Sequence, residues 1–490
     1  MENTKENDGL LDFSASDYTV IISDLHLTQE HITDPNNPLW KKYLTREFFF
    51  DNTFRDFLEH IETKISAKHP GKKPVVELIL NGDIFDFDSV TAAPEEPPYK
   101  ISWLESRRGL YPEEMKSVFK LDIILRDHKE WFDALRRFIL KGHRAIFITG
   151  NHDLEILFPL VQERLRESLA LPPEFSSNLR FCDWFYISNK DTLIEHGNQY
   201  DPFCVCQNPI HPMIRKYNRI EMRIPFGNLA TRYMINGMGF FNPYVDTGFI
   251  MTIKDYLTLF FKYMARKQPF LVVSWFWGAS AVLFQSLSDR LYPAVKDPLL
   301  VEDRIERIAK KSNAQSRMVR EMRELAVAPA TSNPLMIAQE LWLDRAFLFL
   351  VSLLIIFQIF SAVKLVYDIS FFWMFIPILL FSPFFIFYSK SIYSYVAQFK
   401  EPRERILNQS SQITKVKRVV YGHTHVLRHE IIGIVEHLNS GTWSSAFLDI
   451  ECTKSYSQKT CVWIEPGEEG GPREASLMEF INGELKKSNV

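Results

Sequence analysis

The sequence predicts an α/β fold that is interrupted by an α-helical membrane insertion. Short apolar stretches, many of them β-branched, alternate with helical or polar stretches over residues 18–200, which is typical of α/β proteins. The same alternation returns over residues 413–464. Between these parts, from about residue 255 to residue 400, long apolar stretches dominate the chain.

The α/β parts contain seven predicted strands and one long predicted helix. Each strand is a short apolar run that ends at polar or turn-forming residues. The helix covers residues 117–141. The strands cover residues 18–23, 75–80, 145–149, 192–195, 416–421, 430–437 and 459–464.

Carboxylate, amide and imidazole side chains follow five of these strands. In VIISDLHL, Asp24 and His26 are two residues apart, so an extended backbone would point both side chains the same way. Ligands of open α/β folds bind beyond the carboxyl ends of the strands, so we expect the polar residues at one rim. They are Asp24, His26, Asp83, Asn151, His152, Asp153, His196, His423 and His425.

The mixture of hard oxygen ligands and imidazoles suits divalent manganese, iron or zinc. Seven of these residues are candidate ligands, which is too many for one four- to six-coordinate ion. Two ions that share a carboxylate would use all seven. They are Asp24, His26, Asp83, Asn151, His196, His423 and His425.

The motifs DLH, GDIFD, GNHD, EHG and GHTH, in this order, resemble those of the calcineurin-like metallophosphoesterase family. The resemblance covers residues 18–200 and 415–465, and implies a β-sandwich flanked by helices (α-β-β-α) with two metal ions at the strand ends. It implies that one ion, most often Mn²⁺ with Fe²⁺ or Zn²⁺ as alternatives, is held by Asp24, His26 and His425. The other ion would be held by Asn151, His196 and His423.

The resemblance also assigns roles to four further side chains. Asp83 would bridge the two ions. His152 would lie beside the scissile phosphate as a general acid or charge stabiliser, and Asp153 would orient it. Asp86 would be a carboxylate behind the metal ligands. The alternative is that these are ordinary polar strand ends, which five ordered motifs argue against.

Three stretches in the middle of the chain are strongly apolar: 270–284, 346–363 and 369–388. A membrane-spanning helix needs about 20 apolar residues, so the second and third qualify and the first is short. Because His196 and His423 should hold the same ion, the chain must cross the bilayer an even number of times. We therefore expect 346–363 and 369–388 to form a hairpin. Residues 270–284 would lie in the interface or re-enter, unless they pair with one long broken helix made of both later segments.

The distribution of Lys and Arg predicts a catalytic domain that faces the cytoplasm. The hairpin tip carries Lys364 and Asp368, whereas both flanks are rich in Lys and Arg, and positive flanks stay cytoplasmic. The polar, acidic N-terminus lacks the features of a secretory signal peptide, which agrees with this orientation. The basic run 304–323 is either a solvated helix face or a site for anionic headgroups.

The predicted organisation has three parts. Residues 1–254 form the first part of the catalytic domain, and 200–254 within them form a cap insertion. Residues 255–410 form the helical, membrane-associated insertion. Residues 411–490 complete the catalytic domain and carry GHTH.

A hairpin built into a phosphoesterase favours a phosphodiester or pyrophosphate in a lipid-linked substrate. EHG, a downstream R-x-P segment, GHTH and LNSGTW (438–443) are similar to the UDP-2,3-diacylglucosamine hydrolase group, although its best-known branch carries Arg in place of His152. Arg215, Arg219 and Arg223 of the cap would meet substrate phosphates or face solvent.

Two other functions stay open at this point. One is a phosphodiesterase or nuclease on a soluble nucleotide substrate, with the hairpin as an anchor. A nuclease needs a basic, aromatic groove, and the net charge of −3 and the catalytic half give no clear nucleic-acid partner. The other is a non-catalytic membrane scaffold that keeps the metal-binding fold. The sequence predicts contact with phospholipid and bilayer but no particular oligomeric state.

Overall fold

A computed structural model gives the fold of the chain. It describes residues 15–216, 219–239, 261–262, 265, 271–292, 298–392, 404–449, 451–455 and 458–488. The first 14 residues of the predicted catalytic domain and the end of the predicted cap, from residue 240, lie outside the described residues. So do residues 393–403, between the second apolar stretch of the hairpin and GHTH.

The described chain forms two large sheets and one small hairpin sheet. The strands are β1 (Tyr18–Ile22), β2 (Val76–Asn81), β3 (Arg144–Ile148), β4 (Leu179–Cys182), β5 (Phe185–Ser188), β6 (Thr192–Glu195), β7 (Met213–Lys216), β8 (Arg219–Met222), β9 (Arg418–Tyr421), β10 (Arg428–Ile432), β11 (Val435–Asn439), β12 (Thr460–Glu465), β13 (Glu474–Ile481) and β14 (Glu484–Lys487).

The first sheet has seven strands in the order β14-β13-β12-β1-β2-β3-β4. Strands β1 to β4 are parallel, and β12 joins β1 antiparallel, which brings the last part of the chain back to the first. The second sheet has five strands in the order β10-β11-β9-β6-β5. Its central strands β11, β9 and β6 are parallel, so the carboxyl ends of β6 and β9 meet at one edge.

The two sheets pack face to face. Ile21 and Ile79 of the first sheet share a buried cluster with Ile194, Val420 and Leu438 of the second. The outer face of the first sheet packs against helices Asp51–Lys68 and Lys129–Leu140. The outer face of the second packs against the apolar sides of three further helices. This α-β-β-α arrangement confirms the predicted fold class.

The main helices lie between the strands along the chain. They are Asp51–Lys68, Glu114–Asp127, Lys129–Leu140, Pro159–Leu169, Leu271–Leu291, Pro298–Lys311, Ser316–Arg323, Pro334–Glu340, Leu343–Val366, Phe375–Ser391 and Glu404–Thr414. Three short consecutive helical segments, Phe226–Ala230, Thr231–Ile235 and Asn236–Met238, form what we call the platform segment.

Two predicted elements differ from the structure. The helix over 117–141 is two helices, because His128 leaves the helical conformation. Its buried ring is held by the Asp51 carboxylate, 3.0 Å from Nδ1, and by the Thr28 carbonyl. The strand over 430–437 is the hairpin of β10 and β11, in which Gly433 takes a positive φ of 63° at the turn.

The predicted insertion over 255–410 also differs from the structure, since part of it belongs to the α-β-β-α layers. Helices Pro298–Lys311 and Ser316–Arg323 bury Ile308 and Val319 on the second sheet. The basic run 304–323 thus lies on an amphipathic helix pair that covers a sheet, with Arg307, Lys310, Arg317 and Arg320 exposed on the outer side. Its binding of anionic headgroups stays a prediction. Helix Glu404–Thr414 contributes Leu407 to the same cluster.

Two helices are long and apolar enough to cross a membrane, Leu343–Val366 and Phe371–Ser391. Most of their side chains lie outside the core, and Phe347 and Leu379, for example, are exposed. Helix Leu271–Leu291, which contains most of the predicted interfacial stretch 270–284, buries Ala279 and Val282 against the rest of the fold. Whether it enters a bilayer stays a prediction.

Candidate metal centre

The polar residues of the five motifs lie just past the ends of β1, β2, β3, β6 and β9. Five of them have left-handed backbones: Asp24 (φ 55°), His26 (52°), Asp83 (52°), His423 (68°) and His425 (60°). Our expectation that Asp24 and His26 project from an extended strand was therefore wrong, because β1 ends at Ile22. A left-handed conformation costs a non-glycine residue about 1–2 kcal/mol, and five such residues at one rim indicate a functional constraint.

Asp24, His26 and His425 form the first group of candidate ligands. Their ligand atoms lie within 4.8 Å of one another. His425 Nε2 is 3.2 Å from Asp24 Oδ1. The Asp24 carboxylate also accepts a hydrogen bond of 3.1 Å from the His423 backbone, which ties GHTH to DLH.

Asp83, His196 and His423 form the second group, again within 4.8 Å. His196 Nε2 is 3.1 Å from Asp83 Oδ2. His196 Nδ1 must carry the ring proton, because it donates to the Asn81 carbonyl at 2.9 Å, and this leaves Nε2 as the ligand atom. Asp83 Oδ2 is also 4.0 Å from His26 Nε2 in the first group, so this carboxylate lies between the two groups.

The side chain of Asn151 fits a metal ligand. Its Nδ2 donates to Asn228 Oδ1 at 3.3 Å, which turns Oδ1 the other way. This buried oxygen accepts no hydrogen bond from any residue that the structure describes. An unsatisfied buried oxygen is costly, and a cation would satisfy it.

The charges of the site also fit cations. Burial alone would raise the pKa of Asp83, but the imidazoles of His196 and His152 hold it well below the usual value. In the same way, burial alone would raise the pKa of Asp24, but His425 and His196 lower it. Two ionised carboxylates in a buried site need positive charge nearby, which two divalent ions would provide.

Comparison with known proteins agrees with this geometry. Residues 18–224 match the family model described as "Calcineurin-like phosphoesterase". Over these residues the chain has a calcineurin-like phosphoesterase domain. That family uses a dinuclear metal site, and the two groups above are candidate ligands for it. Strands β9 to β14, which carry GHTH and complete both sheets, follow the matched region.

Other comparisons are less informative. No curated protein sequence matches the chain. Among solved structures, a single mutant and a double mutant of Vps29 from Entamoeba histolytica are similar at 16% and 17% identity, each with a TM-score of 0.14. The match covers 18% of this chain and 47% of each of theirs, so the chain spans about half the length of these structures.

In the phosphoesterase domain, His152 lies next to the candidate ligands. Its ring centroid is 5.0 Å from that of His26, and its Nδ1 is 3.4 Å from Asp86 Oδ1. Burial opposes protonation of the ring, but Asp86 and Asp83 raise the pKa of His152 to about 10. An imidazolium is therefore available at neutral pH in this arrangement.

The role predicted for Asp153 was wrong, because its carboxylate does not hold the His152 ring. It accepts hydrogen bonds from the backbone of Gly150 (2.6 Å) and of Ile84 (2.8 Å). Asp153 therefore fastens the GNHD loop to the GDIFD loop. The carboxylate beside His152 is Asp86, which lies within 4.8 Å of both His152 and His26 and is itself held by Ser89.

Gly82 and Gly150, which precede Asp83 and Asn151, must be glycines because other groups approach their backbones closely. At Gly82 the φ is +79°, and an added Cβ would lie 2.7 Å from His196 Cβ and closer still to its ring. At Gly150 an added Cβ would lie 2.5 Å from the Asp83 backbone nitrogen and 3.0 Å from its Cγ. Both positions press directly against candidate ligands.

Sequence reasoning missed two residues that support the ligands. Asp201 Oδ2 is 3.0 Å from His423 Nε2, a carboxylate–imidazole pair of the kind that orients metal ligands, and Cys204 lies within the same group. Asn228 of the platform segment donates to the Asn151 carbonyl at 2.9 Å as well as accepting from its amide. Asp201 follows EHG closely and could have been considered, but no spacing in the sequence points to Asn228.

Of the three cap arginines, two have partners away from the ligand groups and one is exposed. Arg215 is exposed on the β7–β8 hairpin. Arg219 Nη1 pairs with Glu113 Oε1 at 3.3 Å. Arg223 donates to the Tyr292 carbonyl at 2.7 Å and lines a cavity of about 170 Å³ with Cys206 and other residues. Their role as phosphate ligands stays a prediction.

Proposed function

We propose that the protein is a membrane-anchored, two-metal phosphoesterase that hydrolyses a phosphodiester or pyrophosphate bond in a lipid-linked substrate. The observation that carries the proposal is the position of Asp83 between two groups of candidate ligands. Its Oδ2 is 3.1 Å from His196 Nε2 and 4.0 Å from His26 Nε2. Two divalent ions bound there would supply an activated water and a clamp for negative charge.

His152 supplies the proton in this proposal. The Asp86 carboxylate, 3.4 Å from Nδ1, keeps the ring charged, and the opposite nitrogen is left to face the leaving group. His152 also donates from its backbone to Asp83 Oδ1 at 2.8 Å, so the acid and the bridging carboxylate are held in fixed relation. General acid catalysis of this kind typically contributes about 10²- to 10⁴-fold in rate.

A lipid-linked substrate is supported by what lies around the centre. Asn228, which orients Asn151, belongs to the platform segment, and helix Leu271–Leu291 packs on that segment. At Gly278 of this helix an added Cβ would lie 2.8 Å from the Tyr233 carbonyl. An apolar helix with Val273 and Phe276 exposed therefore contacts the platform segment, which in turn contacts the candidate ligand Asn151.

In the proposed topology, Leu343–Val366 and Phe371–Ser391 form the membrane hairpin and the catalytic domain faces the cytoplasm. The basic flanks of the hairpin support this orientation. The short link between the two helices carries Asp368 and leaves no room for a domain on the far side.

The test is release of UMP from UDP-2,3-diacylglucosamine by the full chain in detergent with Mn²⁺. Asp83→Ala serves as the blank, and Asp56→Ala, an exposed helix carboxylate, is the matched control. Release by wild type and the control alone supports both chemistry and substrate. Hydrolysis of bis(p-nitrophenyl) phosphate without UMP release would remove this substrate and leave the chemistry. Metal-loaded protein that hydrolyses neither ester would instead favour a scaffold.

A further inference from the structure

A buried lysine lies near the metal centre with no partner for its charge. Lys41 is 3% exposed, and its ammonium group makes no hydrogen bond or ion pair with any residue that the structure describes. Its backbone is left-handed, with φ 48°. Burial of an unpaired cation and a left-handed lysine are both costly, and they coincide at one residue.

Three other buried cations of this domain are paired with carboxylates. Lys116 is 2.6 Å from Glu105, Lys120 is 2.8 Å from Glu155, and Arg232 is 3.0 Å from Asp88. Buried Arg180 donates instead to the Lys311 carbonyl and to the Asn313 amide oxygen. Lys41 has neither kind of acceptor among the described residues, so an anion from outside the chain is a fitting partner for its charge.

Arg108 is the second cation of this region. No described residue accepts a hydrogen bond from its guanidinium, and its Nε is buried. The group lies flat against Gly237, where an added Cβ would be 2.6 Å from Nη2 and 2.7 Å from Nη1. Its other neighbour is Trp277 of helix Leu271–Leu291, with 5.2 Å from Cζ to the ring centroid.

Lys41 and Arg108 both contact the chain at the end of the platform segment. The Lys41 backbone donates to the Gly239 carbonyl at 2.6 Å, and the Arg108 guanidinium lies against Gly237. Burial lowers the pKa of Lys41 to about 8, and of the charges nearby, Asp86, the carboxylate beside His152, raises this pKa and Arg108 lowers it. Asn236 fixes the distance to the GDIFD loop, because it donates to the carbonyls of Asp88 (2.7 Å) and Arg108 (3.3 Å).

We propose that Lys41 and Arg108 bind a second phosphate group of the substrate, one that is not cleaved, beside the metal centre. This inference rests on the proposed function and narrows it to substrates with two phosphates. Lys41 acts as a point charge and Arg108 offers a planar fork of donors, a combination suited to phosphate. Trp277 and the exposed Trp103, 6.1 Å apart, place apolar surface beside the same site, where the lipid part of the substrate would lie.

The first arm of the test needs neither metal nor catalysis. The full chain in detergent is stripped of metal, and binding of inorganic phosphate is measured by calorimetry. Lys41→Met and Arg108→Met should each weaken binding by about tenfold or more, the loss of a charge-assisted contact. The neighbours Lys42→Met and Arg107→Met are matched controls. Absence of binding by wild type, or equal binding by Lys41→Met, overturns the proposal.

The second arm uses the Mn²⁺-loaded chain. Lys41→Met should raise the KM for a nucleoside diphosphate ester about tenfold more than the KM for bis(p-nitrophenyl) phosphate, and Lys41→Arg should recover part of the loss. Equal changes for both esters overturn the proposal. If wild type binds phosphate through Lys41 in the first arm but hydrolyses no ester, the proposed function fails and the anion site stands.

A third arm identifies the source of the phosphate. Dioctanoyl phosphatidic acid is compared with inorganic phosphate on the metal-free chain. Tighter binding of the lipid that is lost in Trp277→Ala supports a lipid-borne phosphate. Equal binding of the two probes overturns that assignment in favour of a water-soluble phosphate compound.

Discussion

Gly82→Ala should damage the metal centre through a single added methyl group. Gly82 has a φ of +79°, and the new Cβ would lie 2.7 Å from His196 Cβ and closer to its ring. The ring cannot move aside easily, since it is fully buried, donates to the Asn81 carbonyl and lies 3.1 Å from Asp83. Gly71 is a matched control, because its φ is +77° and an added Cβ meets nothing within 4 Å.

The two substitutions share one cost and differ in another. A left-handed alanine costs about 1–2 kcal/mol in either position. Only Gly82→Ala adds overpacking of a rigid site, about 1–3 kcal/mol more. Relief of the clash needs a displacement of His196 by close to 1 Å, and misplacement of that size can reduce a rate about 10²-fold.

The assay has three readouts on the full chain in detergent: thermal unfolding, bound metal by elemental analysis, and hydrolysis of bis(p-nitrophenyl) phosphate with Mn²⁺. Gly82→Ala should lose bound metal and activity, whereas Gly71→Ala should lose only a little stability. Normal metal content and activity in Gly82→Ala would refute the placement of His196 as a ligand. Equal losses in both variants would show that backbone conformation alone is responsible.

Four further predictions concern single residues. Asp83→Ala should abolish turnover and lower metal content, and wild-type turnover would contradict the bridging position. His152→Ala should keep its metal but lose about 10²-fold or more in rate, so loss of both ions instead would mean that His152 is a ligand. Burial lowers the pKa of Lys459 from 10.5 to about 7, so the unfolded chain binds the extra proton between these values and stability should rise with pH across that window. Lys459→Met should flatten this rise and stabilise the protein below pH 7 by a few kcal/mol, and unchanged unfolding curves at pH 6 and pH 10 would count against it. A label at Lys364 should react only from the non-cytoplasmic side, and cytoplasmic labelling would contradict the hairpin.

Much of the fold could be predicted because the core strands are apolar, short and well bounded. Predicted strands 18–23 and 75–80 correspond to β1 (Tyr18–Ile22) and β2 (Val76–Asn81) within a residue at most. Strands β13 and β14 were missed because their sequence, EASLMEFINGELKK, has a charged residue every few positions, so no continuous apolar run marks a strand. The pairing of β13 with β12, rather than a local apolar pattern, makes that segment a strand.

The residues of the candidate site could be predicted, but not how they converge. Spacing of two in DLH and GHTH indicated neighbouring side chains, yet the structure achieves this with left-handed residues. The role of Asp153 was misjudged because sequence adjacency to His152 does not show that its carboxylate turns back to Gly150 and Ile84. The sequence did not indicate Lys41 and Arg108, because only their burial without a partner distinguishes them from the other lysines and arginines of the chain.

The left-handed residues are stable because the motif loops bond to one another beyond the strands. Asp24 donates from its backbone to the Gly82 carbonyl at 3.1 Å, and His26 to the Asp83 carbonyl at 2.9 Å. The parallel pairing of β1 and β2 is thereby extended into the site itself. The two glycines that press on Asp83 and His196 allow this approach, and the Asp153 carboxylate joins the third loop to it. The candidate ligands are therefore positioned by the backbone of the sheet, so the centre is organised for cations before they bind.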